Sequence, residues 1–439
     1  MFIIIKYCRD KLNNIRQAIL AEKALKSIVV LLTGSGLAQL IPVLAIPLIA
    51  RLYTANDLGE LALFVNIVTL LVILATGKYE EAILLPGKES VSINLVAGTI
   101  IVSLIFSAAL QVIVLSLSLF MHYQPLAYNL HNWIMLIPLS VLFLAIFNIL
   151  TSFANRYSLY NHMSISKLWR SITTTIFKLT GGIMKMGAWG LITGTLLGNV
   201  ISALYITRVS LKYKKHQLDF VSRQKVLHSL KMYSQFPKFS MIRALANTLS
   251  GSLPVYFLFI FFGTAVTGQY AMAATLSFIP IHLLSQSLYQ VYFQKISEKY
   301  NKGKAIAQDI AKIAKWIAAL LAIPFLLITV FSTQITGFIL GEDWVEAGVI
   351  LRYLMPWLFM VAVITPLGFV PKIANRLKAE MLIDMAYLAL RVLALYTGVL
   401  FNNYYYSILL FSLTGVLVLG FYFYWFLYLS RKLDYKLTR

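Results

Sequence analysis

The stretch 188–262 reads AWGLITGTLLGNVISALYITRV (188–209), SLKYKKHQLDFVSRQKVLHSLKMYSQFPK (210–238) and FSMIRALANTLSGSLPVYFLFIFF (239–262). Each outer run is apolar and reaches the roughly 20 residues that a helix needs to cross a bilayer's hydrocarbon core. The middle run holds Lys212, Lys214, Lys215, Arg223, Lys225, Lys231 and Lys238. An apolar run, a basic gap and another apolar run is the pattern of two membrane helices joined by a cytoplasmic loop.

The pattern repeats in both directions. Spans are expected at 27–50, 58–77, 91–121, 132–153, 166–187, 188–209, 239–262, 266–294, 309–332, 347–370, 379–400 and 404–429. Lys and Arg fill every second gap. The tail has Lys6, Arg9, Lys11, Arg16, Lys23 and Lys26; later gaps have Lys78 and Lys88, then Arg156 and Lys167, then Lys295, Lys299, Lys302 and Lys304, then Lys372, Arg376 and Lys378. The alternate gaps 122–131, 263–267, 332–346 and 402–404 carry no Lys or Arg. Arg51, at the end of the first span, is the main exception. Positive-inside orientation then places both termini in the cytoplasm. The expected fold is an all-α polytopic membrane protein with about twelve transmembrane helices.

Composition agrees. Of 439 residues, 59% are hydrophobic and only 12% charged, against about 25% charged in soluble domains. The net charge of +22 would point a soluble protein toward nucleic acid; here the basic residues sit in loops, so no nucleic-acid partner is expected. Cys8 is the single cysteine, which leaves no internal disulfide and no Cys-based metal cluster. The apolar start Met1–Ile5 is too short for a signal peptide, so the first span is expected to be retained.

The basic segment divides the chain into a cytoplasmic tail (1–26), an N-lobe of six spans (27–209), a linker (210–238), a C-lobe of six spans (239–429) and a basic tail (430–439). The lobes echo each other. Ala154-Asn155-Arg156 follows the fourth span and Ala374-Asn375-Arg376 the tenth; Gly59-Glu60-Leu61-Ala62 opens the second and Gly268-Gln269-Tyr270-Ala271 the eighth. Arg170 lies 14 residues beyond Arg156, and Arg391 lies 15 beyond Arg376. Six spans per half preserve orientation, so these are parallel pseudo-repeats, expected to flank a central cavity.

Ionisable groups inside spans are costly, about 2.5–3.5 kcal/mol at mid-membrane on insertion scales, and mark pathways or internal partners. Lys178 and Arg391 lie near the middle of equivalent spans. If both face the cavity, it is cationic and suits a phosphate or pyrophosphate; an internal ion pair is the alternative. Arg243 and Arg51 are assigned to the same substrate-binding set, although Arg243, like Lys185 and Arg352, can also snorkel to the headgroups. Asp384 lies seven residues before Arg391, on the same face. His282, Gln286, Gln290 and Gln294 form one polar stripe, either hydrogen-bonding sugar hydroxyls or bonding across packed helices. Pro42, Pro47, Pro138, Pro254, Pro280, Pro324, Pro356 and Pro366 all fall inside expected spans, where kinks let helices bend around a cavity. No GxxxxGK[ST] loop is present, so no nucleotide cofactor is expected. Neither a metal nor any other cofactor is expected.

One region is more specific. Leu32-Thr33-Gly34-Ser35-Gly36, Ala38-Gln39-Leu40-Ile41-Pro42, Arg51-Leu52-Tyr53-Thr54, Asp57-Leu58-Gly59 and Lys78-Tyr79-Glu80-Glu81-Ala82-Ile83-Leu84-Leu85-Pro86 resemble the N-terminal signature of the Wzx-type polysaccharide flippases. These belong to the multidrug/oligosaccharidyl-lipid/polysaccharide exporter superfamily. Tyr233-Ser234-Gln235-Phe236-Pro237 resembles the start of that family's second half.

The resemblance implies a flippase, not an enzyme. It would move an undecaprenyl-pyrophosphate-linked oligosaccharide, such as an O-antigen repeat unit, across the bacterial inner membrane by ion-coupled alternating access. Implied partners are that lipid-linked oligosaccharide, membrane lipids and a polysaccharide polymerase complex. Many proton-coupled drug exporters of the superfamily use an Asp in the first helix; the first span here has no carboxylate, which weighs against drug export and leaves the coupling residue unassigned, with Asp384 the best candidate. The competing expectations are a multidrug/cation antiporter of the same fold, which favours an acidic cavity, and a membrane polymerase or ligase, which calls for a large external catalytic loop.

Overall fold

The computed structural model describes residues 36, 38–122, 132–214 and 221–437. The expected tail 1–26, the start of the first span, the gap 123–131 and parts of the linker and the C-terminal tail lie outside the described residues.

Every long element is a helix, and there is no strand among the described residues. We number them α1 (Ala38–Leu52), α2 (Ala55–Thr76), α3 (Glu89–His122), α4 (Ile137–Arg156), α5 (Tyr160–Ile183), α6 (Ala188–Lys214), α7 (Arg223–Met232), α8 (Met241–Phe262), α9 (Thr264–Asn301), α10 (Ala307–Leu340), α11 (Val345–Ile364), α12 (Leu377–Leu400) and α13 (Tyr404–Leu437). Among the described residues, ten helices are long and apolar enough to span a membrane, and α1 is a shorter apolar helix. The remaining expected span is α5. It has the length, 24 residues, but Lys167, Arg170, Lys178 and its run of Ser and Thr lower its hydropathy on one face, while Ile165, Trp169, Ile176 and Phe177 are exposed.

The helices outrun the hydropathy pattern. α9 has 38 residues, about 57 Å at 1.5 Å per residue, against a hydrocarbon core of about 30 Å. Its end, Lys295-Ile296-Ser297-Glu298-Lys299, consists largely of good helix formers, so the helix continues after the apolar run stops. The linker also holds a helix. Ser222 caps α7 by accepting from the Lys225 amide at 3.4 Å, and Val226 and Leu230 of α7 lie against Gly98 of α3.

The chain forms two compact units, one of residues 1–45 and 67–244, the other of residues 46–66 and 245–439. The first is held at its basic-loop end by Arg156. Its guanidinium donates to the carbonyls of Ile83 (3.1 Å) and Leu84 (3.2 Å) and to that of Pro86. Tyr157 donates to the Glu89 carboxylate at 2.6 Å, and Tyr79 to the Leu230 carbonyl at 3.1 Å. Burial pushes the phenols of Tyr79 and Tyr157 up from their ordinary values. Beneath them pack Ala82, Ile83, Ile93, Leu95, Ile149 and Phe153. The segment 78–86 and the Arg156 triplet, read separately in the sequence, are thus one interlocked structure. At Phe236–Ser240 the chain makes a π-helical turn; Pro237 lacks the N–H that would continue an α-helical ladder.

In the second unit, α2 opens with a capping box. The Asp57 carboxylate accepts from the Thr54 amide (2.9 Å) and hydroxyl (2.8 Å), and the Asp57 amide donates back to the Thr54 hydroxyl (3.3 Å). One turn on, α2 crosses α9 at Gly59 and Gly268. A Cβ at Gly59 would lie 2.0 Å from the Thr264 carbonyl oxygen, and one at Gly268 would lie 1.7 Å from that of Ala55. Only glycine permits this approach. These are the two glycines of the matching openings of the second and eighth spans, and here they face each other directly. Trp344 Nε1 donates to the Ala50 carbonyl at 2.8 Å, and Thr264 to Asn56 at 2.6 Å.

Pro254, Pro280, Pro324 and Pro356 stand inside helices. Pro138 instead occupies the first turn of α4, where its missing N–H costs nothing. Pro366 lies in the 3-10 turn after α11.

Candidate functional site

Arg391 of α12 is 6% exposed. Its guanidinium carbon lies 4.0 Å from the ring centre of Tyr387, 4.6 Å from Phe411 and 5.1 Å from Trp357. It donates to the Ser250 carbonyl (3.3 Å) and hydroxyl (3.1 Å), and to the Tyr387 hydroxyl (2.6 Å). Nε alone is buried without a partner. Helices α8, α11, α12 and α13 thus converge on one cation, and three aromatic faces replace part of its lost hydration. Gly415 makes room for the Trp357 ring: a Cβ there would lie 2.2 Å from Trp357 Cδ1.

Asp384 shares α12 but makes no ion pair with Arg391 among the described residues. It accepts from the Tyr422 hydroxyl at 2.6 Å. Two turns of helix separate the pair by roughly 10 Å along the axis, and each has found a nearer partner.

The other expected residues are dispersed. His282, Gln286, Gln290 and Gln294 form an exposed stripe along α9, with Gln294 donating to Glu298 at 3.1 Å. Their exposure excludes a role as hydrogen-bonding glue inside the second unit's core. Arg51 is exposed at the end of α1 in the same unit. Near its basic-loop end, Arg243 is exposed on the third residue of α8 and falls in the first unit. Lys178 is half-buried on α5, also in the first unit.

Sequence reading passed over the neighbours of Lys178. Lys167, Arg170, Thr174 and Lys178 follow one another by three or four residues, so they fall on one face of α5. Arg170 lies over the Phe147 ring of α4 at 5.4 Å. The three- and four-residue spacing is the signal in the sequence that marks this face. Arg170 and Arg391 each sit over an aromatic ring from the fourth span of their own half, Phe147 and Trp357. α6 approaches this helix through Gly194 and Gly198. A Cβ at Gly198 would lie 2.0 Å from the Thr174 hydroxyl, and one at Gly194 would lie 3.0 Å from Lys178 Cγ. The α5 backbone is therefore set firmly beneath its basic residues. No group of three or more His, Cys, Asp or Glu suited to a metal occurs among the described residues.

Both the fold and the matches to solved structures define the class: an all-α, multi-pass membrane protein with the fold of the superfamily transporters. The lipid II flippase MurJ, in an inward closed conformation, superposes with a TM-score of 0.67 at 14% identity, covering 93% of this chain and 92% of that one. A multidrug resistance MATE family transporter of the MOP superfamily, in an inward-facing conformation, gives 0.61 at 15% identity over 93% and 95%. A MOP superfamily transporter from Pyrococcus furiosus, described as having a binding pocket of reverse polarity, gives 0.54 at 15% over 94% and 96%. No curated protein matches this chain in sequence. The polysaccharide biosynthesis protein family matches residues 48–349, and the chain belongs to that family.

Proposed function

We propose that this protein is a flippase. It moves an undecaprenyl-pyrophosphate-linked oligosaccharide, of the O-antigen repeat-unit kind, from the inner to the outer leaflet of the bacterial inner membrane, by alternating access coupled to an ion gradient. Family membership supports the polysaccharide pathway, and the MurJ-like fold supports movement of a lipid-linked sugar. The observation that carries the reading is the sign of the intramembrane charge. α5 presents Lys167, Arg170 and Lys178 on one face with no carboxylate in the helix, and Arg391 adds a buried cation in α12, whose carboxylates are Glu380 in its first turn and Asp384.

Such groups suit a pyrophosphate. We assign direct phosphate contact to the α5 face. Arg391, already held by Ser250, Tyr387 and three rings, supplies positive potential from within its unit. Arg51 and Arg243 add exposed positive charge to the same set. The exposed α9 stripe, His282 to Gln294, is suited to sugar hydroxyls, and Asp384 with Tyr422 is the candidate coupling pair. A drug/cation antiporter is the poorer fit, because that substrate calls for acidic groups and described α1 contains none.

The test is genetic. Deleting the gene should abolish surface polymer and leave lipid-linked repeat units on the inner leaflet, and the wild-type gene should restore the polymer. Persistence of surface polymer in a deletant with no second flippase overturns the reading.

A further inference from the structure

At the turn between α9 and α10 the second unit holds a cavity of about 600 Å³. Lys295, Lys299, Lys302, Lys304 and Lys312 line it. Positive-inside topology explains basic residues near this turn. It does not explain their convergence, from two helices and the loop joining them, on one concave basin. Only two carboxylates, Glu298 and Asp309, share the lining. Asp309 is taken up by an ion pair with Lys299, which ties the end of α9 to the start of α10. Glu298 accepts the Gln294 amide. Lys295, Lys302, Lys304 and Lys312 make no ion pair among the described residues.

The basin is built on a fixed frame. The Asp434 carboxylate caps α10, accepting from the Ile306 amide at 2.7 Å and the Ala307 amide at 2.9 Å. The turn closes through the Lys302 amide to the Glu298 carbonyl (3.1 Å) and the Lys304 amide to the Lys299 carbonyl (3.1 Å), with Gly303 at φ +69°. Buried Ile296 and Ile313 form the floor. Tyr292 and Trp316 complete the lining, Trp316 being 53% exposed. An exposed tryptophan beside lysines, where apolar helix gives way to basic turn, is the chemistry of the headgroup level of a bilayer.

We propose that this basin binds the phosphate-bearing headgroup of an anionic phospholipid of the surrounding membrane. Lysines grip phosphate oxygens as mobile point charges, and basic pockets between membrane helices on the cytoplasmic side are suited to anionic lipid headgroups. Phosphate oxyanion chemistry is shared with free pyrophosphate. The lipid is favoured because the site opens beside exposed Trp316 and directly continues the apolar surface of α10, where Leu320 and Ile323 are exposed.

The experiment uses the full chain in phosphatidylcholine vesicles titrated with brominated phosphatidylglycerol. Quenching of Trp316 is read as the difference from Trp316→Phe. Lys302→Gln/Lys304→Gln should raise the half-quenching lipid concentration about thirtyfold, which is about 2 kcal/mol at roughly 1 kcal/mol per lysine. Lys225→Gln/Lys231→Gln, on α7, should leave it unchanged, and inorganic pyrophosphate at equal concentration should not relieve the quenching. Both substituted residues of the test pair are exposed, and unchanged melting verifies that the variant is folded. Equal shifts in the two pairs, no shift in either, equal quenching by brominated phosphatidylcholine, or relief by pyrophosphate would each overturn the proposal.

Discussion

Replacing Arg391 with Met removes the charge at the centre of the second unit while keeping most of the side-chain volume. Three interactions end at once: the donation to Ser250, the donation to Tyr387 at 2.6 Å, and the contact with rings 4.0–5.1 Å away. A hydrogen bond from a charged donor is worth about 1.5–3 kcal/mol, and a desolvated cation–π contact about 2 kcal/mol. These do not add, and the variant is relieved of burying a charge. A net loss of about 3 kcal/mol is expected, or about 6–12 °C of melting temperature for a unit of this size. Arg391→Lys keeps the cation over the rings but loses the planar fork that reaches Ser250 and Tyr387 together, so it should fall about halfway. The assay is thermal denaturation of the purified protein, paired with surface polymer in cells at matched protein level. A melting temperature for Arg391→Met within about 2 °C of wild type would refute the aromatic box as a stabilising centre.

Other consequences are equally direct. Gly268→Ala places a methyl group 1.7 Å from the Ala55 carbonyl oxygen; α2 and α9 must part by more than an ångström, at about 1–3 kcal/mol, and disulfide trapping between Cys residues introduced at Asn56 and Thr264 should fall sharply. Equal trapping in Gly268→Ala and in its parent would show the crossing to be looser than described. Arg156→Ala leaves the carbonyls of Ile83, Leu84 and Pro86 without their shared donor, and hydrogen exchange or proteolysis at 83–88 should rise, with an expected stability loss of about 2–3 kcal/mol. Lys178→Gln and Arg170→Gln should each lower surface polymer several-fold at matched protein level, whereas Lys185→Gln should not; full polymer in both α5 variants removes that helix from substrate recognition.

Much of the fold was legible because a membrane span announces itself by length and apolarity, and loop charge by contrast with it. α5 was legible only as one member of a run, since three basic residues and many hydroxyls dilute its apolar signal. The basic end of α9 was not legible, because helix-forming Lys and Glu continue a helix without continuing hydropathy; α10 runs on through 333–340, where Thr, Gln and Gly interrupt the apolar run that the expected span ended on. The glycines of α2 and α9 were read as matching openings of two repeats; that they meet each other is a three-dimensional relation, which no one-dimensional alignment contains. The site was less legible. Arg391 and Asp384 were visible as costly charges, but the Ser250, Tyr387 and Tyr422 partners come from residues ordinary in a membrane helix. The α5 stripe was readable by spacing alone and needed only Lys167 and Arg170 to be placed beside Lys178.

The central claim is that this chain carries a pyrophosphate-linked oligosaccharide lipid across a bilayer. The most direct measurement is reconstitution into sealed vesicles containing a fluorescent undecaprenyl-pyrophosphate oligosaccharide, with the label on the outer leaflet destroyed by a membrane-impermeant reductant. The account predicts that wild-type vesicles under an ion gradient expose the inner-leaflet pool to the reductant, while Lys178→Gln vesicles and protein-free vesicles do not. Protection of that pool in wild-type vesicles, or equal exposure of a fluorescent phosphatidylcholine, would contradict it.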